Sequence, residues 1–286
     1  MRESYRDELV GVFGSPIDDN PTVIIQEAAF KTLNLPFRYL TIEVKPEDLE
    51  KAMDGIRVMN MKGINLTMPH KVKVLQYLDV IADDAKLMGA VNTVYVKDKK
   101  LYGENTDGKG FMLALTNGGI NVKGKKIVML GAGGAARAMS VELANAGASC
   151  IEIVNRGKER GEELCALLNE KTTLKAHFVL WEKTYKIPED ADILINSTSI
   201  GFDPNADQKP NIDYDTLKSS LIVCDVIPNN PHTPFLQEAK TRGCKTFDGL
   251  TMLVNQGLLG FRLWTGMDAP ADVMTKALKE EFGIKD

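Results

Sequence analysis

Short apolar runs, bounded by Gly, Pro or acidic residues, alternate along this chain with longer stretches whose apolar positions fall at helical spacing. The first runs, LVGVF (Leu9–Phe13), FRYLTIEV (Phe37–Val44) and GINLTMP (Gly63–Pro69), each read as a strand. Between them the pattern predicts a helix around Ile24–Leu33 and another over PEDLEKAMDGIRVM, which has Pro46 and acids in its first turn. A third helix opens at His70 or Lys71. VNTVYVKDKKLYGEN breaks this rhythm and reads as a hairpin with Asp98-Lys99 near its turn, the edge of a layer.

A second series starts at Asp107. KKIVML, CIEIV, ADILIN and SLIVCDV read as buried strands separated by helices. After Gly249 two helical patterns, LTMLVNQGLLGFRLW and APADVMTKALKEEF, close the chain. Strands and helices alternating in this way imply parallel pairing through crossover helices. With no short repeat or low-complexity stretch, the simplest summary is an α/β protein of two domains.

Composition narrows this picture. The 286 residues, 44% hydrophobic and 26% charged, are those of a soluble globular chain. A net charge of −4 and no basic patch argue against nucleic acid as a partner. The start, MRESYRDELV, lacks the apolar centre of a secretory signal, and no apolar run is long enough to cross a bilayer. Cys150, Cys165, Cys224 and Cys244 are far apart with no CxxC, as expected of free thiols in a cytoplasmic protein. His70, His177 and His232 are too scattered to suggest a metal site.

KKIVMLGAGGAARAMSVELANAG joins an apolar strand to an amphipathic helix through a glycine-rich turn. Gly131, Gly133 and Gly134 permit tight turning and close backbone approach, and Ala132 completes the turn. The helix N-terminus then offers free N–H groups to a pyrophosphate. Ala135 departs from the third glycine of GxGxxG, yet the setting points to a dinucleotide. NAD-preferring sites carry an acid ~20 residues on, at the end of the next strand. Here CIEIV ends in Asn155-Arg156, with Lys158 and Arg160 following. An acid would repel a 2′-phosphate and this cluster would attract one, so NADP is favoured, with NAD the alternative.

Two polar stretches precede that domain, GINLTMPHK (Gly63–Lys71) and GENTDGKG (Gly103–Gly110). Each lies between a strand and a helix, where α/β sheets bind ligands. Lys71 is expected in a first helical turn, where the dipole disfavours a cation and promotes proton exchange. Asp107 opens the next long helix, where the dipole favours a carboxylate. A Lys–Asp pair could take a proton from an alcohol while hydride leaves for a nicotinamide. The bland alternative is a solvated lysine and a capping aspartate.

Taken together, GINLTMPHK, GAVNTV (Gly89–Val94), GENTDGKG, GAGGAARA, NSTSIG (Asn196–Gly201) and DGLTMLVNQ (Asp248–Gln256) resemble the shikimate dehydrogenase family and its quinate/shikimate relatives. The blocks are in family order and span nearly the whole chain. The last, with the LWTG after it, is especially similar to the quinate/shikimate branch. The resemblance implies a fold in which residues 1–106 plus 249–286 form an α/β substrate domain completed by the C-terminal helices. Residues 107–248 form an inserted Rossmann-type NADP-binding domain. It implies reversible reduction of 3-dehydroshikimate to shikimate with NADPH, with Lys71 and Asp107 as the catalytic pair. By motif match, Asn65, Thr67, Asn92 and Gln256 hold substrate hydroxyls. Gly131–Ala135 bind pyrophosphate, Asn155–Arg160 the adenosine ribose, and Val226 and Gly249 lie on the nicotinamide side. A monomer or homodimer is expected.

One block departs. Where the family carries G-x-P-I-x-H-S-x-S-P, whose two serines hold the substrate carboxylate, this chain has GSPIDDNPTV. Asn20 and Thr22 replace the serines, and Asp18 and Asp19 add negative charge. At an effective dielectric near ~20, like charges ~6 Å apart repel by roughly 3 kcal/mol if the acids face the ligand. If they face water, they serve only to cap the next helix. The departure leaves three functions open. One is a shikimate dehydrogenase with a variant clamp. Another is a paralogous dehydrogenase for quinate or a cyclic polyol without the carboxylate. The third is a non-catalytic nucleotide or metabolite sensor, against which Lys71 and Asp107 both count.

Overall fold

The structure, a computed structural model, describes residues 5–284 of the chain. They divide into two compact units: everything up to Thr106 together with everything from Val254 onward, and Asp107–Leu253. Each unit holds a six-stranded sheet.

The first unit contains β1 (Glu8–Gly14), β2 (Phe37–Glu43), β3 (Gly63–Leu66), β4 (Val80–Ile81), β5 (Thr93–Lys97) and β6 (Lys100–Glu104), in the order β2-β1-β3-β5-β6-β4. β1 is parallel to both β2 and β3, whereas β5 is antiparallel to β3 and β6. The expected hairpin is β5–β6. Asp98 and Lys99 at its turn have φ of 50° and 63°, the left-handed pair that a tight hairpin uses. The helices are α1 (Thr22–Thr32), α2 (Leu49–Val58), α3 (His70–Lys73) and α4 (Asp83–Met88). On α2, Leu49, Met53 and Ile56 share one face and pack with Phe13, Ile64, Leu66, Val94 and Leu101 of the sheet. The helix expected to open at His70 or Lys71 starts at His70. α3 is a single turn that continues as a 3-10 turn to Tyr77, so the dipole reasoned to act on Lys71 has little length behind it.

The second unit opens with α5 (Thr106–Asn117). It then alternates β7 (Lys126–Leu130), α6 (Gly134–Asn145), β8 (Cys150–Asn155), α7 (Lys158–Lys171), β9 (Lys175–Leu180), β10 (Ile193–Asn196), β11 (Ile222–Asp225), α8 (Pro234–Thr241) and β12 (Lys245–Phe247). The order is β12-β11-β10-β7-β8-β9, parallel throughout. The four strands read from the sequence are the inner ones. β9 and β12, at the edges, pair on one side only. Their apolar content is correspondingly thin, and they left no continuous apolar signal. Strand order reverses between β7 and β10, which places a crevice at the C-terminal ends of these two strands.

α9 (Gly249–Thr265) starts in the second unit and runs into the first, where α10 (Ala271–Glu281) follows. Within the first unit Phe261 of α9 stacks on Phe30 of α1 at 5.2 Å, and Phe30 stacks on Phe37 at 5.1 Å. Trp264 donates from Nε1 to the Val94 carbonyl at 3.0 Å. The C-terminal helices thus complete the core of the N-terminal sheet.

Candidate active site

In the first unit a buried polar network runs across the sheet. Asn65, on β3, donates from Nδ2 to Thr93 Oγ1 at 2.9 Å and to the Asn92 carbonyl at 3.2 Å. Its Oδ1 accepts from the Tyr39 hydroxyl on β2 at 2.7 Å. Asn92, at the mouth of β5, accepts on Oδ1 from the Thr106 N–H at 2.7 Å and donates from Nδ2 to Thr106 Oγ1 at 3.0 Å. Thr106 Oγ1 in turn donates to Gln256 Oε1 on α9 at 3.4 Å. Asn65, Asn92, Thr93, Thr106 and Gln256 are all buried. Each buried polar atom left unpaired costs ~1–3 kcal/mol, so a closed network of this kind fixes its members in place.

This network joins Asn65, Asn92 and Gln256 of the expected substrate residues, while Thr22 is buried at the start of α1. Burial pushes the Tyr39 hydroxyl well above its ordinary pKa, so it stays a neutral donor. Thr67 lies beside it at the β1–β3 edge, half-buried, its N–H donating to the Phe13 carbonyl at 3.0 Å. Lys71 is half-buried in α3, and Asp107 is half-buried directly after Thr106, in the first turn of α5. Tyr39, Thr93 and Thr106 were missed from sequence. Each sits inside a strand or at a helix start with an ordinary local pattern, and only the pairing of strands reveals them.

Of the two readings of the acids in the opening block, the one that has them face water holds, without the helix cap it expected. Asp18 and Asp19 are both exposed. Neither caps α1; instead Asn20 Oδ1 accepts the Thr22 N–H at 3.1 Å. Lys45, on which Asp18 acts electrostatically, is already paired with Glu43 at 2.5 Å. His70 is buried and structural. Its Nε2 donates to the Val44 carbonyl at 2.7 Å, and burial lowers its pKa.

The second unit offers a nucleotide site at its switch point. Gly131 ends β7 with φ 106°, and a Cβ there would lie 2.8 Å from Ser197 Oγ, so only glycine fits. Ser197 itself donates to the Leu130 carbonyl at 2.7 Å, tying the ends of β7 and β10 together. Gly133 and Gly134 are exposed at the start of α6 with open space where a Cβ would stand. Free N–H groups on an uncovered helix start, next to a turn that excludes side chains, fit a pyrophosphate. Ala135 is half-buried. The position that packs helix on strand is Ala136, which is fully buried, and that corrects the reading of Ala135 as the altered third glycine. Ala132 is half-buried between them.

Beyond β8, Asn155 donates from Nδ2 to the Gly157 carbonyl at 2.8 Å and shapes the loop. Arg156 and Arg160 are exposed, while Lys158 faces Glu162 at 3.7 Å. Two exposed guanidinium groups and no acid at the strand end fit a 2′-phosphate. At the end of β11, Asp225 accepts from Thr233 Oγ1 at 2.7 Å, Asn196 Nδ2 at 3.0 Å and the Ile227 N–H at 3.3 Å. Burial nevertheless raises its pKa to about 6. This holds the Val226–Ile227 backbone, against which Gly249 packs so closely that a Cβ would lie 2.3 Å from the Val226 carbonyl carbon. Val226 and Gly249, expected together, are neighbours. Among the described residues no group of acids, histidines and cysteines could hold a metal, all four cysteines are free thiols, and no helix is long and apolar enough to cross a membrane.

One unit with a parallel sheet and a glycine-rich turn at its switch point, and another with a mixed sheet carrying a buried polar network, define an α/β oxidoreductase of the dinucleotide-dependent class. Residues 12–94 match the shikimate dehydrogenase substrate binding domain, 112–202 the shikimate / quinate 5-dehydrogenase family, and 249–279 the shikimate 5'-dehydrogenase C-terminal domain. The shikimate dehydrogenase (NADP(+)) of Desulforamulus reducens is 41% identical over 98% of this chain and 97% of its own length. Among solved structures, ligand-free 5-ketofructose reductase of Gluconobacter sp. strain CHM43 superposes with a TM-score of 0.94 at 46% identity, covering 97% of this chain and all of that one. The shikimate 5-dehydrogenase of Listeria monocytogenes, in complex with shikimate and NAD, gives 0.91 at 34% identity, covering 97% and 98%. The chain belongs to the shikimate dehydrogenase family.

Proposed function

We propose that the protein is an NADP-dependent dehydrogenase that interconverts a ring ketone and its secondary alcohol, 3-dehydroshikimate and shikimate being the family pair. The observation that carries this reading is the buried network from Tyr39 through Asn65, Asn92 and Thr106 to Gln256, whose Thr106 directly precedes Asp107. Such a row of fixed amides and hydroxyls suits a ligand carrying several hydroxyl groups. The residues after β8 and in the Gly131–Gly134 turn would hold NADPH, which supplies hydride to the carbonyl carbon. Lys71 gives a proton to the oxygen as it gains charge, and Asp107, in the first turn of α5, is the second catalytic group. In the oxidative direction Lys71 accepts the alcohol proton. Asn65, Thr67, Asn92 and Gln256 orient the ring, and Asn20 and Thr22 meet its far substituent.

A second reading keeps this chemistry and changes the substrate to a polyol without a carboxylate. It is favoured by the altered clamp and by 46% identity to a reductase named for 5-ketofructose. NADPH oxidation with 3-dehydroshikimate tests the reading, and no turnover of any polyhydroxylated ketone would refute it. For the cofactor, Arg156→Ala with Arg160→Ala should raise the KM for NADPH by about tenfold or more and leave the KM for NADH within about twofold. Equal effects on both cofactors would contradict the 2′-phosphate assignment.

A further inference from the structure

Lys71 stands on α3, a single helical turn too short to hold its own shape. What holds it lies outside it. The His70 N–H donates to the Thr67 carbonyl at 2.8 Å, and the Lys71 carbonyl accepts from the Val91 N–H at 2.8 Å. These backbone bonds fix where the turn lies, and its side chains fix how it is rotated. His70 and Val74, one helical turn apart, are both fully buried, and Val74 belongs to the same apolar core as Val44. Val72, ~200° round the turn from His70, is 65% exposed. The turn therefore buries an imidazole and leaves a valine outside. Apolar burial alone would favour the opposite rotation.

The imidazole makes one bond. Its Nε2 donates to the Val44 carbonyl at 2.7 Å, at the end of β2. A carbonyl only accepts, so Nε2 carries the ring's proton and Nδ1 is bare. Nδ1 is buried without a partner among the described residues. One bond made and one nitrogen stranded adds little stability, and an apolar side chain would fill the space without the stranded atom. What the bond does give is direction. Val44 is itself fixed, its N–H donating to the Gly14 carbonyl at 3.0 Å, so the ring is tied to the sheet. Lys73 donates to the Pro46 carbonyl at 2.7 Å, but through an exposed side chain whose place water can take. Lys71, ~100° round from His70, is thereby brought half-buried to the edge of the core. We infer that His70 is a positioning residue for the reaction: its bond to the Val44 carbonyl sets the rotation of the α3 turn and so aims the Lys71 ammonium for proton transfer. This rests on the dehydrogenase reading above.

The test compares His70→Gln with His70→Asn in the full-length protein. Both are amides, and only the glutamine nitrogen reaches as far as Nε2. NADPH-driven reduction of 3-dehydroshikimate and of 5-ketofructose is followed in light and heavy water. Tm, the KM for the ketone and the Kd for NADPH are measured on the same samples. His70→Gln should keep kcat within about threefold of the wild type. His70→Asn should lower kcat by ~10–10²-fold with KM and Kd within about twofold. It should also enlarge the solvent isotope effect on kcat, because transfer from a misplaced ammonium is slow. A merely structural role would lower Tm and scale kcat with the folded fraction, leaving the isotope effect unchanged. That result, or His70→Gln as slow as His70→Asn, overturns the inference and leaves the dehydrogenase reading standing. Should His70→Asn not fold, His70→Leu takes its place with the same expectations. If the wild type reduces no polyhydroxylated ketone, the dehydrogenase reading falls, and the placing of Lys71 is read from the carbon NMR signal of its dimethylated amine, assigned with Lys71→Arg. A signal that His70→Asn shifts and His70→Gln does not upholds the positioning; a signal that His70→Asn leaves unmoved overturns it.

Discussion

Single side chains carry the chemistry, and two of them show how burial decides their behaviour. Asp225 has its pKa raised to about 6 from 3.8, with burial the largest cause and its hydrogen bonds opposing. Between about pH 4 and 6 the folded state therefore holds a proton that the unfolded state has released, so this group's contribution to stability falls as pH rises through that window, by ~3 kcal/mol in all. Carbon NMR of the labelled carboxyl should give a midpoint well above the ordinary range; a midpoint near the usual value for aspartate would show that the hydrogen bonds outweigh burial. Asp19 is the opposite case. It is exposed, and exposed charges are screened to small effects. Asp19→His alone should change the KM for shikimate by less than about twofold. A tenfold fall would mean that the acid does face the ligand. At this scale the sequence pointed to Lys71 and Asp107 through the motifs that resemble the family, and to the glycines through the tight turn they permit. It was silent on Tyr39, whose importance comes from the Asn65 side chain that β3 places beside its hydroxyl.

Elements set where those side chains point. The inner strands of the second unit were plain from their apolar runs, since a strand buried on both faces has little choice of residue. Edge strands β9 and β12 carry a mixed pattern because one side of each is unpaired, and they emerged only with the sheet. The start of α3 was legible but its length was not, as a polar stretch after a strand says where a helix starts and not how far it runs. The turn between β7 and α6 makes the sharpest demand of any element. Gly131→Ala would place a methyl against Ser197 in a backbone region that alanine avoids. It should cost ~1–3 kcal/mol of stability and weaken NADPH binding, while the affinity of the first unit for shikimate stays unchanged. Calorimetric titration of each ligand checks this, and unimpaired NADPH binding would remove the turn from the site.

At the scale of the whole molecule, two units with separate cores divide the work, a mixed sheet for the substrate and a parallel sheet for the nucleotide. The chain threads from the first into the second at Thr106–Asp107 and back at Leu253–Val254. Residues that anchor the polar network, Thr106 and Gln256, lie close to those crossings. That organisation was readable from the alternation of strands and helices and from the helical tail. The substrate was not, because the block that departs from the family motif, Asn20 and Thr22, is the one expected to meet its far substituent. The central claim is that Lys71 moves the proton that accompanies hydride exchange. It is tested most directly by the kcat of Lys71→Ala for NADPH-driven ketone reduction, with NADPH affinity measured on the same sample. The account predicts a fall in kcat of ~10²–10⁴-fold with an unchanged Kd for NADPH; a kcat within about twofold of the wild type would contradict it.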